Sequence, residues 1–209
     1  MALLTPQHRD SDQRHGFFGF LLLGNQAAGF LLILTTWMTL FGAEPSVIHA
    51  EGVSREYSLK AVFLLNFARF TDWPTNAFNS AESPLTIGIL GSDPFGSVLE
   101  LAIQNEQVQG RNFVVERYSR LSDIRACHIL FIGQSEARHL DKIETTLKTR
   151  PILTVSDIEN SAEHGVCEQF ITENNKIRLR INMDSLKTAN LTMSSKLLRL
   201  AEIIPPPPK

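Results

Sequence analysis

Three short runs in this chain leave no face for water. They are residues 85–90 (LTIGIL), 127–132 (CHILFI) and 151–155 (PILTV). A strand that is apolar along both faces must be covered on both, which is the situation of a parallel sheet with helices on either side. A fourth run, 112–118 (NFVVERY), falls between the first two. The segments joining these runs have helical or turn character. Residues 91–96 (GSDPFG) form a turn, 95–103 a helix, and 136–148 a helix with Leu140, Ile143 and Leu147 on one side. Strands alternating with helices specify an α/β domain.

The pattern changes after Ser156. Residues 166–172 and 176–182 are extended runs flanking Asn174-Asn175, and Asn tolerates the positive φ of a tight hairpin. Ile177, Leu179 and Ile181 alternate with Lys176, Arg178 and Arg180, as in a half-exposed antiparallel strand. Residues 183–189 and 194–203 read as helices, the latter capped by Ser194 or Ser195. Ahead of the sheet, residues 54–70 read as a helix capped by Ser54. Tyr57, Ala61, Leu64, Leu65 and Ala68 form its buried face, and Trp73-Pro74 ends it. The expected architecture is a three-layer α/β sandwich. Its sheet is mainly parallel, with an antiparallel hairpin at one edge.

The N-terminus reads as a leader. Residues 1–15 are polar and include Arg9 and Arg14. An apolar stretch over 17–43 follows, interrupted by Asn25 and Gln26, and then a short polar segment. That is the order of a secretory signal. Cleavage is expected after Ala50, with Ala43 as second choice and an uncleaved anchor as the alternative. Either way the rest of the chain lies outside the cytoplasm. The domains are thus a leader over 1–50, one folded domain over 51–204 and a stiff Pro-rich tail over 205–209. The formal charge of -2, with no basic stripe, argues against nucleic-acid binding.

Catalytic patterns are absent: there is no HExxH and no GxSxG. Ser194-Ser195-Lys196 reads as a helix cap. His128 reads as a packed strand residue, and His139 and His164 as ordinary surface groups. Two cysteines, Cys127 and Cys167, are too few for a Cys-based zinc site. They are read as unpaired buried residues, with a mutual disulfide as the alternative. No metal or cofactor is expected. Ligands of open parallel sheets bind beyond the carboxyl ends of the strands. The candidate ligand residues are therefore Ser92, Asp93, Ser135, Glu136, Ser156 and Asp157, with capping as their bland use. The last helix carries more aliphatic residues than one core stripe needs. Leu197, Leu200, Ile203 and Ile204 are the candidate partner-binding residues.

Six segments in order resemble the YfiR family, also called HmsC-like. They are YSLKAVFLLNFARFTDWP (57–74), LTIGILGSDPFG (85–96), GRNFVVERY (110–118), CHILFIGQSE (127–136), ILTVSD (152–157) and RLRINMDSLKTANLTMSSKLLRLA (178–201). The resemblance implies an α/β sandwich of flavodoxin-like type in the periplasm, a regulatory partner and not an enzyme. It implies a partner too, the periplasmic sensory domain of a membrane-bound diguanylate cyclase. That cyclase is held inactive, which lowers cyclic di-GMP and biofilm formation. Homodimers are implied as well. Two positions depart from the family pattern. His164-Gly165-Val166-Cys167 stands where relatives often carry a glycine pair, and Gly88 stands where many carry a cysteine. The competing readings are a small-ligand receptor that feeds a sensor kinase, and a flavodoxin-like enzyme or redox protein. A neighbouring cyclase or sensor-kinase gene would separate the first two, and flavin content would test the third.

The leader reading predicts that protein from the periplasmic fraction begins near Glu51. N-terminal sequencing checks this. Full-length chain retained in the membrane would establish the anchor instead.

Overall fold

The computed structural model describes residues 47–205, with side chains from residue 55 onward. The leader up to residue 46 and the tail beyond Pro205 lie outside the described residues.

Helix α1 spans Val47–Phe70. It runs through Ser54, so Ser54 is an interior residue and not the N-cap. Its apolar face carries Ala61, Leu64, Phe67 and Ala68, all fully buried. After β1 (Thr71–Asp72), strand β2 (Leu85–Leu90) enters the sheet. Helix α2 (Val98–Ile103), the two-residue β3 (Gln107–Val108) and β4 (Arg111–Tyr118) follow. Helix α2 starts later than the sequence suggests. Asp93 accepts hydrogen bonds from the Phe95 and Gly96 amides and holds that segment as a turn. Then come β5 (Ile129–Ile132), a 3-10 turn at Gln134–His139, α3 (Leu140–Leu147) and β6 (Leu153–Ser156). Strands β7 (Glu168–Glu173) and β8 (Lys176–Asn182) form the hairpin, with Asn174 at φ 51° and Asn175 at φ 59°. The chain ends with α4 (Met183–Thr188), β9 (Thr192–Met193), α5 (Ser195–Leu198) and β10 (Ala201–Ile204).

Eight strands make the main sheet, in the order β10-β8-β7-β6-β5-β2-β4-β3. Its centre, β4-β2-β5-β6-β7, is parallel throughout. Counted along the chain this is the 2-1-3-4-5 order of flavodoxin-like folds. Strands β1 and β9 pair separately as a small antiparallel sheet. Side-chain alternation divides the core in two. Ile87, Ile89, Ile129, Phe131, Leu153 and Val155 pack with Leu64, Phe67 and Leu99 of α1 and α2. Leu90, Leu130, Ile132 and Ile152 pack with Leu140, Ile143 and Leu147 of α3.

Two further expectations need correction. The hairpin is not at an edge, because β10 pairs in parallel with β8 and lies outside it. Residues 194–203 are not one helix. Ser194 does cap a helix, accepting from the Lys196 amide, but only one turn forms before the chain extends into β10. A short amphipathic run has both options, and the open edge of β8 offers backbone hydrogen bonds that a solvated helix end does not.

Glu168 is fully buried, between Val155 of β6 and Ile181 of β8. Neither carboxyl oxygen has a hydrogen-bond partner, and burial pushes its pKa well above the carboxylate range. Burial without a partner disfavours the charged form of this acid.

Both cysteines are buried and unpaired. Cys127 belongs to the α3-side core and Cys167 to the other cluster. Burial pushes the Cys127 thiol up to about 12 and the Cys167 thiol up to about 11, so neither is reactive. A Cβ at Gly88 would lie 2.8 Å from Cys127 Sγ and 2.6 Å from the Tyr118 ring. We therefore expect the unreduced, denatured protein to titrate two free thiols. Gly88→Cys should bond to Cys127 once the Tyr118 ring turns aside, and so leave one free thiol. Such bonds typically add about 2–4 kcal/mol. Three free thiols in the variant would show that Tyr118 does not yield.

Candidate functional site

The loops after β2, β5 and β6 all leave the carboxyl end of the parallel sheet, and they meet there. The approach is close. A Cβ at Gly133 would lie 2.3 Å from the Ser92 carbonyl oxygen, and one at Gly91 would lie 2.3 Å from Ser135 Oγ. Gly91 also has φ +82°, the left-handed conformation that glycine adopts without strain.

The candidate ligand residues are brought together, but their polar groups are already bonded within the domain, Ser92 to Ser135 and the others to neighbouring groups. The Ser92 amide donates to Ser135 Oγ at 2.9 Å. Asp93 Oδ1 caps the following turn, and its Oδ2 accepts from Arg117 Nε at 2.7 Å. Glu136 pairs with His139 at 3.0 Å. Ser156 is fully buried; its hydroxyl donates to the Ile132 carbonyl at 2.8 Å and accepts from the Ile158 amide at 3.1 Å.

Asp157 has the densest surroundings. Lys60 Nζ lies 2.6 Å from its Oδ2, and the Tyr57 hydroxyl donates to the same oxygen at 2.8 Å. Gln134 Nε2 donates to Oδ1 and to the Asp157 carbonyl, each at 3.0 Å. Lys60 is only 2% exposed and also pairs with Glu56 at 2.6 Å, and Glu56 accepts from the Thr172 hydroxyl at 2.8 Å. Burial pushes the Glu56 carboxyl up, but Lys60 and Thr172 outweigh it and hold it below its ordinary range. Burial, then the bond to Asp157, pushes the Tyr57 hydroxyl well up. The Lys60 ammonium also sits 4.4 Å above the Tyr57 ring centre. Lys60 thus ties α1 to the end of β6, and its partner Glu56 ties α1 to β7 through Thr172.

Sequence reasoning found Asp157 but missed Lys60 and Glu56. The signal was present. Lys60 lies three residues after Tyr57 and four before Leu64, within the apolar stripe of α1. A lysine there needs an acid inside the fold.

The histidines are placed as read. His128 is buried, and its Nδ1 accepts from the Thr86 amide at 3.0 Å. Its Nε2 is therefore the protonated nitrogen and faces the Ala77 carbonyl at 3.2 Å. Burial holds its pKa below the usual value. His139 and His164 are exposed, beside Glu136 and Asp141. Among the described residues no group of three His, Cys, Asp or Glu side chains could hold a metal.

Of the candidate partner residues, Leu197 is buried in the core, which removes it from that set. Leu200 is 77% exposed and Ile203 42% exposed, and Ile204 is half-buried.

Fold and site define a flavodoxin-like α/β domain whose strand-end polar groups hold the domain itself together. The chain belongs to the YfiR/HmsC-like family, whose model matches residues 57–202. That family is periplasmic and regulatory, known in general for control of diguanylate cyclases. Among solved structures, a conserved domain protein from Vibrio cholerae O1 biovar El Tor strain N16961 is similar at 12% identity and TM-score 0.41. The match covers 56% of this chain and 54% of that one, so the chain spans about half the length of that structure. No curated protein matches the chain. Among the described residues no helix is long and apolar enough to cross a membrane.

The Lys60–Asp157 pair yields a stability prediction. Removing one partner of a buried pair leaves an uncompensated charge, at a cost of about 3–5 kcal/mol. Lys60→Met, which strips Asp157 and Glu56 of their shared cation, should approach that loss in urea denaturation, and Asp157→Asn should cost less because Lys60 keeps Glu56. The double variant should lose much less than the sum.

Proposed function

We propose that this chain is a periplasmic regulatory binding protein that represses a membrane-bound diguanylate cyclase. It binds the cyclase's periplasmic sensory domain, lowers cyclic di-GMP and so limits biofilm formation. The match to the YfiR/HmsC-like family over residues 57–202 carries this reading. The self-satisfied crevice is in keeping with it, since Ser92, Ser135, Ser156 and Asp157 are engaged in holding loops to one another. A protein that works by holding a partner needs a rigid body and an apolar contact.

The contact we assign is the C-terminal edge. Leu200 and Ile203 are the large apolar side chains exposed there, beside the free side of β10. Buried centrally in a complex, such residues act as anchors.

Deleting the gene should raise cyclic di-GMP, and restoring the parent chain should lower it again. Leu200→Asp should fail to lower it, with affinity for the cyclase domain weakened by about 2 kcal/mol, roughly thirtyfold. Because Leu200 is exposed, the variant should melt like the parent, whereas Leu197→Asp should unfold. Unchanged cyclic di-GMP on deletion would end the regulatory reading. Full complementation by Leu200→Asp would move the contact elsewhere.

A further inference from the structure

Residues 73–84 join β1 to β2 and lie over the amino ends of the strands, where β2, β4 and β5 begin. Apart from the 3-10 turn Thr75–Ala77 this strap has no helix or strand, and none of its residues is buried. Apolar packing therefore does not hold it in place. A few directed contacts do, and they centre on His128.

His128 precedes β5, and its ring stands in for a backbone acceptor. The Thr86 amide, beside it on β2, donates to Nδ1 at 3.0 Å, while the His128 amide donates to the Thr86 carbonyl at 3.0 Å. The strap hangs on the same residue. Nε2 donates to the Ala77 carbonyl at 3.2 Å, and the Phe78 ring stacks on the imidazole with centres 4.3 Å apart. Trp73 Nε1 donates to the His128 carbonyl at 3.3 Å. Arg111 of β4 takes the other face of Phe78, 3.8 Å from its centre, and its Nη1 donates to the Ser80 and Ser83 carbonyls. Beside these groups a cavity of 380 Å³, lined by Trp73, Phe78, Gln109 and Arg111 among others, gives the strap room to move.

We propose that His128 is an acid-operated latch, and that a second proton on its ring releases the strap from the sheet. The neutral ring carries its proton on Nε2, so the second proton goes to Nδ1. There it points at the Thr86 amide hydrogen, and an imidazolium has no acceptor to offer. A buried amide cannot stay unpaired without cost, so the ring swings clear of β2 toward water. The Ala77 carbonyl and the Phe78 ring remain good partners for a cation, and they move with it. Arg111 opposes the charged ring in place, since one phenyl group then separates two cations. The groups facing His128 are Thr86 from β2, Trp73, Ala77 and Phe78 from the strap, and Arg111 from β4. Among the described residues, Arg111 is the charged side chain that acts on the ring, and no acid faces it to hold it charged.

The direction of the pH dependence follows. Burial first, and then Arg111, hold the folded ring below its ordinary value of 6.5, against the pull of the Ala77 carbonyl. The latch contributes its full stability above about 6.5 and loses it as pH falls from there to the lowered folded value. A periplasmic domain shares the acidity of its surroundings, so acid outside the cell reaches this ring. The latch does not rest on the regulatory reading.

The test takes the full chain, purified from the bacterial envelope, from about pH 8 to about pH 5, the range over which a histidine switches. Trp73 is the only tryptophan beyond the leader, so its fluorescence reports the strap. Hydrogen exchange of residues 73–86, corrected for the intrinsic effect of pH, reports the backbone. Both should change together at a midpoint below 6.5, with exchange roughly tenfold faster at the acid end. His128→Asn keeps an acceptor for the Thr86 amide in its Oδ1 but takes up no proton, so it should show neither change. If that variant fails to fold, the parent decides, because the Thr86 amide and the strap must open at one midpoint. A parent unchanged over this range would overturn the latch. So would a Thr86 amide that stays protected while the strap opens, or a folded His128→Asn that titrates like the parent.

Discussion

The structure depends on β5 being buried on both faces. Ile129 and Phe131 point toward α1 and α2, while Leu130 and Ile132 point toward α3. The same four residues pair with β2 on one side and β6 on the other. Apolar burial contributes about 25 cal/mol per Å², so a strand enclosed in this way anchors both layers at once. Once β5 is central, β2 and β6 flank it, and the loops leaving all three converge at one end of the sheet. The contacts of Ser92 with Ser135 and of Gln134 with Asp157 follow from that convergence.

Much of this was legible in the sequence. The runs LTIGIL, CHILFI and PILTV have no polar face and occupy the parallel centre of the sheet. Asn174-Asn175 marks the hairpin turn. The C-terminus was not legible, because SSKLLRLAEII satisfies helical spacing as well as it satisfies a strand. What decides between them is a tertiary fact, the unpaired outer side of β8. Leu197 was misassigned for the same reason. As part of a long helix it is surplus to one core stripe, but on a one-turn helix it is the residue that docks. Ser54 was read as a cap because it precedes an apolar stripe. Capping residues also occur inside helices, and spacing alone does not distinguish the two.

The candidate site was legible as a location but not as chemistry. Sequence rules place ligands at strand ends, and the six residues chosen are indeed gathered there. Their hydrogen bonds are taken up within the domain, and the most enclosed of them, Asp157, is taken up by Tyr57 and Lys60 of α1, a helix outside the strand-loop pattern. Position thus follows from topology. Whether a polar group is free depends on partners a hundred residues away, as Tyr57 and Asp157 are. Glu168 is a further case. Nothing in EQFITE marks its first residue as an acid buried without a partner inside the core.

The shortness of the last strand bears on growth without limit. A sheet with two sticky edges can add copies at both and become a fibre. Strand β10 is only four residues long and runs directly into Pro205, with three more prolines after it. Proline has no amide hydrogen to offer a neighbouring strand. The C-terminal tail therefore acts as a terminator. It leaves the apolar side chains of β10 available for contact while denying that edge the length it would need to template another chain.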